Sequence, residues 1–303
     1  MKPSQCIQLL IPPLLARGWR AWRGGTAGAA APKEELRLSG DYPSWADAVS
    51  ASSGYDGEAI LRKTCEALLK VKRGEAAYER DSVLFDEIQH SWPVLAGLMW
   101  AAARSGGDLN VLDFGGSLGS TYFQNREFLK PLRNVRWNVV EQARHVEAGR
   151  KWFQDERLRF YERAEDCLAE TRPGVLLLSG VLQYVEDPGR TLEGLLSLPV
   201  DQLIVDRTPF VDGPSDRLCI QHVPAEIYAA SYPCWLFSKR QFCARLGRSM
   251  DIVSEFDSLD RFPSPVKTRW SGLIAARRGG GAENTLMASD AGRTRTVEEV
   301  GHG

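Results

Sequence analysis

The stretch Val111-Leu112-Asp113-Phe114-Gly115-Gly116-Ser117-Leu118-Gly119-Ser120 constrains this chain more than any other. Val111 and Leu112 follow a polar, glycine-containing segment from Ser105 to Asn110 and predict a buried strand. Gly115, Gly116 and Gly119 then predict a sharp turn in which backbone approaches a ligand closely, followed by a helix start. The acid comes before the glycines. A dinucleotide-binding fingerprint spaces its glycines G-x-G-x-x-G and carries its acid about 20 residues later. Here the order is D-x-G-G-x-x-G. A carboxylate at the mouth of such a loop repels a pyrophosphate and suits a ligand bearing an amine or a sulfonium cation. The alternative is an ordinary strand–turn–helix whose glycines serve geometry only.

The chain has 303 residues, 43% of them hydrophobic, which is enough for one large domain with appendages. Lys+Arg 38 against Asp+Glu 39 leaves almost no net charge and argues against broad nucleic-acid binding. Cys6, Cys65, Cys167, Cys219, Cys234 and Cys243 form no C-x-x-C pair, and no histidine spacing completes a zinc pattern. They read as scattered thiols of a reducing compartment, with no metal site expected. Near the N-terminus, Ile7 to Leu15 is apolar but broken by Pro12-Pro13 and too short to span a bilayer. Arg17, Arg20 and Arg23 interleave with Trp19 and Trp22 after it, the reverse of a signal peptide. Residues 1–24 are therefore a candidate peripheral membrane contact, with a docked helix or a loose terminus as the alternative.

Composition and periodicity divide the chain into residues 1–39, a basic and apolar segment with a Gly/Ala linker; 40–105, a helical cap; 106–277, an α/β domain with an insert at 208–250; and 278–303, a Gly-rich polar tail expected to be disordered. In the cap, Tyr55-Asp56 precedes an amphipathic run from Ile60 to Val71. Asp81-Ser82 reads as the cap of a further helix with Leu84, Phe85, Ile88, Trp92, Leu95 and Leu98 on its apolar side. From residue 110 strands are predicted at 110–114, 136–141, 158–162, 175–180 and 202–206. Helices are predicted at 121–130, 144–154 and 189–197. This alternation implies a parallel sheet covered on both faces. The last two strands, 251–256 and 270–276, are joined by a short Pro-containing segment, which predicts a closing antiparallel pair.

In an open α/β sheet ligands bind at the carboxyl ends of the strands, which gathers four segments around one crevice. The first is the Asp113–Gly119 loop. The second is Val139-Val140-Glu141-Gln142, where an acid 22 residues after Gly119 suits a bidentate contact to ribose hydroxyls or is an exposed strand-end acid. The third is Phe160 to Asp166, in which the acids Glu165 and Asp166 suit the opening of a helix. The fourth is Leu176 to Pro188. There Gly180 ends a strand, Gln183 and Tyr184 follow it, and Asp187-Pro188 opens a helix. Beyond them lies an insert rich in polar-tipped aromatics, Phe210 to Trp235. His222, in that insert, has the pKa range of a general base or is a satisfied surface histidine.

Together these segments resemble class I S-adenosylmethionine (SAM) methyltransferases. Residues from about 40 to 277 are similar to a family of bacterial members that occur with surface-polysaccharide genes. The resemblance is carried by Tyr42-Pro43-Ser44-Trp45, Gly54-Tyr55-Asp56, Tyr78-Glu79-Arg80-Asp81, the Asp113 loop, Gln183-Tyr184, Asp206-Arg207-Thr208-Pro209 and Tyr232-Pro233. It implies a Rossmann-like α/β sheet, parallel with a terminal antiparallel strand, and SAM as cofactor. It implies that SAM is held by Asp113, Gly115, Gly116, Ser117, Gly119, Glu141, Gln142, Glu165 and Gly180. Ser117 stands where many relatives carry glycine, and a histidine common near Gln183 is missing. The expected reaction is methyl transfer, to oxygen rather than nitrogen, on a small-molecule or glycan-linked acceptor in the cytoplasm, with Gln183, Tyr184 and His222 at the acceptor. The rivals are a non-catalytic binding protein on the same fold and a nucleotide-dependent oxidoreductase.

Overall fold

The computed structural model describes residues 36–54, 57–225 and 227–279. The expected linker, membrane segment and most of the tail, with Tyr55-Asp56, lie outside them. In chain order the elements begin with β1 (Arg37–Ser39), α1 (Trp45–Ala51), α2 (Gly57–Arg73), β2 (Tyr78–Arg80), β3 (Val83–Phe85) and α3 (Trp92–Arg104). The α/β units follow: β4 (Asp108–Phe114), α4 (Ser120–Leu129), β5 (Asn134–Val140), α5 (Ala143–Trp152), β6 (Leu158–Tyr161), α6 (Ala164–Glu170), β7 (Val175–Ser179), a 3-10 turn (Leu182–Tyr184) and α7 (Pro188–Leu196). The chain continues with β8 (Gln202–Val211), β9 (Arg217–Val223), β10 (Ala230–Ser238), α8 (Lys239–Leu246), β11 (Met250–Asp257) and β12 (Thr268–Arg277).

Strands β6, β5, β4, β7 and β8 pair in parallel in that spatial order. β12 then pairs antiparallel with β8, and β11 with β12. Numbering β4 to β8 as 1 to 5 and β11 and β12 as 6 and 7, the order is 3-2-1-4-5-7-6, the Rossmann-like sheet of class I methyltransferases. Its strands are apolar on both faces, as a sheet covered on two sides requires. Val111, Val139, Leu177 and Ile204 pack with α3, α4 and α5, while Leu112, Val140, Leu176 and Val205 pack with α6, α7 and α8. Among the described residues no helix is long and apolar enough to cross a membrane.

Strand β8 serves two partners along its length. Its first half pairs with β7 as far as Ser179↔Asp206, and its second half pairs with β10 at Phe210↔Phe237. Arg207 sits between the halves at φ 52°, where β12 also shifts register between Ser271 and Leu273. Within the expected insert, β9 and β10 form an antiparallel extension of the sheet, and β1 adds an edge to it through Arg37↔His222.

The region 40–105 differs from the expected helical cap. Asp81 does not begin a helix. Asp81 (φ 52°) and Ser82 (φ 68°) are both left-handed and form the two-residue turn between β2 and β3. That backbone matches the right-handed twist of a tight hairpin, and Ser82 N donates to Glu79 Oε1 at 2.7 Å to hold it. The helix starts instead at Trp92, with Pro93 in its first turn. Its Val94, Leu98 and Ala102 belong to the same core as Val111 and Ile204, so α3 is part of the sheet domain rather than of a separate cap.

Candidate active site

A cleft of about 210 Å³ opens at the carboxyl ends of β4, β7 and β8. Its floor is the glycine loop. Gly115 has φ 71°, and a Cβ there would lie 2.2 Å from Val181 Cγ2. A Cβ on Gly116 would lie 2.4 Å from Asp113 Oδ2, so this glycine lets the carboxylate fold back against the loop. Ser117 adopts φ 53°, the left-handed conformation that glycine takes without cost. Gly119 N donates to Gly116 O at 2.9 Å and closes the turn before α4.

Asp113 is 1% exposed. Trp137 Nε1, from the neighbouring strand, donates to its Oδ2 at 2.9 Å. Burial pushes this carboxyl up to about 7, with Glu141 adding in the same direction and the Trp137 bond opposing. Glu141 follows β5 and is half-buried, its Oε2 accepting from Gln142 N at 2.8 Å. One helical turn later His145 lines the cleft with Nδ1 buried and without a hydrogen bond.

The opposite wall comes from the β2–β3 hairpin and the β8 bulge. Glu79, Arg80, Asp81 and Ser82 line the cleft. Glu79 is 1% exposed, and its Oε2 accepts from Ser120 Oγ, the first residue of α4, at 2.6 Å. Burial pushes its carboxyl up to about 7. Arg207 donates from Nε to Asp260 Oδ2 at 2.7 Å and from Nη2 to Asp81 Oδ2, tying the hairpin to the bulge. The guanidinium also lies beside Gly180, at φ 67°. Asp206 is 5% exposed and lines the cleft. Its Oδ1 accepts from Ser258 Oγ at 2.7 Å and from Arg207 N at 2.8 Å, and its Oδ2 accepts no hydrogen bond from the described residues. Burial raises its carboxyl above the usual range.

Of the residues expected at the site, Asp113, Gly115, Gly116, Ser117 and Gly180 come together around this cleft. Glu141 and Gln142 are not among the residues that line it. Glu165 is exposed on α6, 3.4 Å from Arg163. Gln183 is buried behind the wall, its Nε2 donating to Arg207 O at 3.0 Å. Tyr184 donates to Gln221 Oε1 at 2.8 Å and packs edge-on against Tyr232, while Gln221 Nε2 donates to Tyr232 Oη at 3.1 Å. His222 is on the other side of β9. Successive side chains of a strand face opposite ways; Gln221 faces Tyr184, and His222 Nε2 lies 2.7 Å from Ser39 Oγ of β1, away from the cleft. His222 does not line the cleft. Glu79, Asp81, Asp206 and Arg207 had no role assigned from sequence, although all four stand in the segments that carried the resemblance.

Among described residues no group of three or more His, Cys, Asp or Glu side chains is arranged to hold a metal ion. No family profile and no curated protein matches the chain. Solved structures similar to it include the N-terminal domain of EvdMO1, crystallised in the presence of S-adenosylhomocysteine (SAH) and D-fucose (15% identity, TM-score 0.43, covering 74% of this chain and 98% of that one). Another is magnesium protoporphyrin IX methyltransferase from Synechocystis with bound SAM (16% identity, TM-score 0.41, covering 74% and 99%). A third is the glycopeptide N-methyltransferase MtfA with sinefungin (14% identity, TM-score 0.40, covering 60% and 87%). At these scores the likenesses add no argument to the one the strand order already makes.

Proposed function

We propose that this chain binds SAM and transfers its methyl group to a hydroxyl of a small polar or glycan-linked acceptor. One observation carries the reading: a buried acid at the end of the central strand, folded against a glycine turn, faces a cleft lined by further carboxylates. Such a site repels nucleotide phosphates and attracts a cationic ligand. When bound, SAM supplies a methyl carbon already activated by its sulfonium. The chain's own residues then need to hold it, align the acceptor and remove one proton. Gly115, Gly116, Ser117 and Gly119 cradle the methionine end, with Gly180 across from them. Glu141 takes the ribose hydroxyls, and Gln142 and Glu165 form the adenine rim.

We assign the acceptor to the side bounded by Arg207, Tyr228 and Leu259. Asp206 is the proton acceptor there, since Oδ1 is fixed by two donors and Oδ2 is left for a hydroxyl. Asp206 Oδ2 would take the proton that the acceptor hydroxyl gives up. Gln183 and Tyr184 act from behind, through Arg207 and through the Gln221–Tyr232 bond. Calorimetry with SAM tests the reading first, and labelled-methyl transfer to small sugars and extracted glycans tests it second. Absence of heat with SAM refutes it; binding without transfer to any acceptor favours a non-catalytic SAM-binding protein. Glu141→Ala should weaken SAM by about 1–3 kcal/mol, the cost of losing a charged hydrogen bond.

A further inference from the structure

Glu79 reaches the cleft from the β2–β3 hairpin, outside the sheet. Its carboxylate is nearly inaccessible to water, yet the donors it meets are neutral: Ser82 N at 2.7 Å and Ser120 Oγ at 2.6 Å. It forms no ion pair among the described residues. The nearest guanidinium, Arg207, is already engaged by Asp81 and Asp260. An ionised carboxylate can accept about four hydrogen bonds, so positions remain open beside the two in use. Burying such a charge without a counter-charge is costly. The hairpin is also held in place, with Thr64 Oγ1 of α2 2.7 Å from Ser82 Oγ. Glu79 further occupies the N-terminus of α4, where an anionic ligand group would otherwise be drawn.

Resting on the SAM reading above, we propose that Glu79 receives the α-ammonium of the methionine moiety and turns that end of the cofactor so that its carboxylate points away from the start of α4. The ammonium supplies the missing counter-charge. Burial holds the ligand-free carboxyl near 7, with Asp81 raising it slightly and Ser120, Ser82 and Arg207 opposing. Asp113, across the cleft, is also near 7. A cation arriving between them favours the ionised forms, so binding near neutral pH releases protons.

The test uses the full chain and three probes: SAM, SAH and 5′-methylthioadenosine, which lacks the amino-acid end. Calorimetry at pH 7 in two buffers of different ionisation enthalpy counts the protons released. SAM and SAH should each release protons from Glu79, and 5′-methylthioadenosine none from this group. Glu79→Gln should weaken SAM and SAH about 10–100-fold, leave 5′-methylthioadenosine unchanged and reduce the SAH-linked release. Equal affinity of variant and wild type for SAM overturns the assignment, as does equal weakening of all three ligands. If the variant does not fold, the wild-type proton counts decide: equal release by SAH and 5′-methylthioadenosine overturns it. Failure of all three ligands to bind the wild type removes the cofactor reading itself, and this assignment with it.

Discussion

At the scale of single residues, the site concentrates buried carboxylates that differ in what satisfies them. Asp81, by contrast, is exposed and is held below the usual range by the charge and the hydrogen bond of Arg207. Asp113 and Glu79 have no such partner and are pushed up to about 7. A raised acid binds its proton more tightly in the folded than in the unfolded chain. Its stability contribution is therefore lost as pH climbs from the unfolded value near 4 through 7. The ligand-free protein should melt lower at pH 8 than at pH 6, and Asp113→Asn, which keeps an acceptor for Trp137, should shrink that difference. Thermal melts of both proteins at the two pH values check it, and equal slopes for wild type and variant contradict it. Asp206→Asn should leave SAM affinity unchanged and lower kcat about 100-fold or more, read by labelled-methyl transfer with an acceptor that supports turnover. None of this charge balance was visible in sequence. Burial decides it, and the letters Glu79 and Asp206 carry no burial.

At the scale of elements, the hairpin and the glycine loop face each other and are positioned by different means. The loop is set by close approach: Gly116→Ala would place a Cβ against the Asp113 carboxylate. That variant should fold, because the far end of a side chain has only to move, but it should displace Asp113 and weaken SAM. Unchanged SAM affinity would show that the carboxylate has room elsewhere. The sheet strands were legible in sequence because buried parallel strands read as continuous apolar runs; Leu176-Leu177-Leu178 is the clearest. The hairpin was not. Leu84, Phe85, Ile88, Trp92, Leu95 and Leu98 follow helical spacing, and Asp81-Ser82 lacks the glycine that usually announces a tight turn. The place of His222 was not legible for a related reason. Its titration range is a property of the residue, whereas the face of β9 it occupies depends on register with β1 and β10.

At the scale of the whole molecule, the parallel sheet and its antiparallel extension meet along one strand, β8. The acid-before-glycine loop predicted the first of these, and the closing pair β11–β12 predicted its far side. The extension through β10, β9 and β1 was unforeseen, because three-residue β1 carries too little pattern to be recognised. That edge has a kinetic consequence. β1 bonds to residues about 183 positions further along the chain, as in Ser39 to His222, whereas β4 to β7 assemble from neighbouring units. Contacts closed over long loops form late and open early. Amide exchange should therefore be slowest at Val111–Asp113 and Leu176–Leu178 and fastest among strands at Arg37–Ser39, and uniform protection across the sheet would contradict this. A chain in mid-folding thus completes its central sheet while the antiparallel extension still lacks its outermost stave.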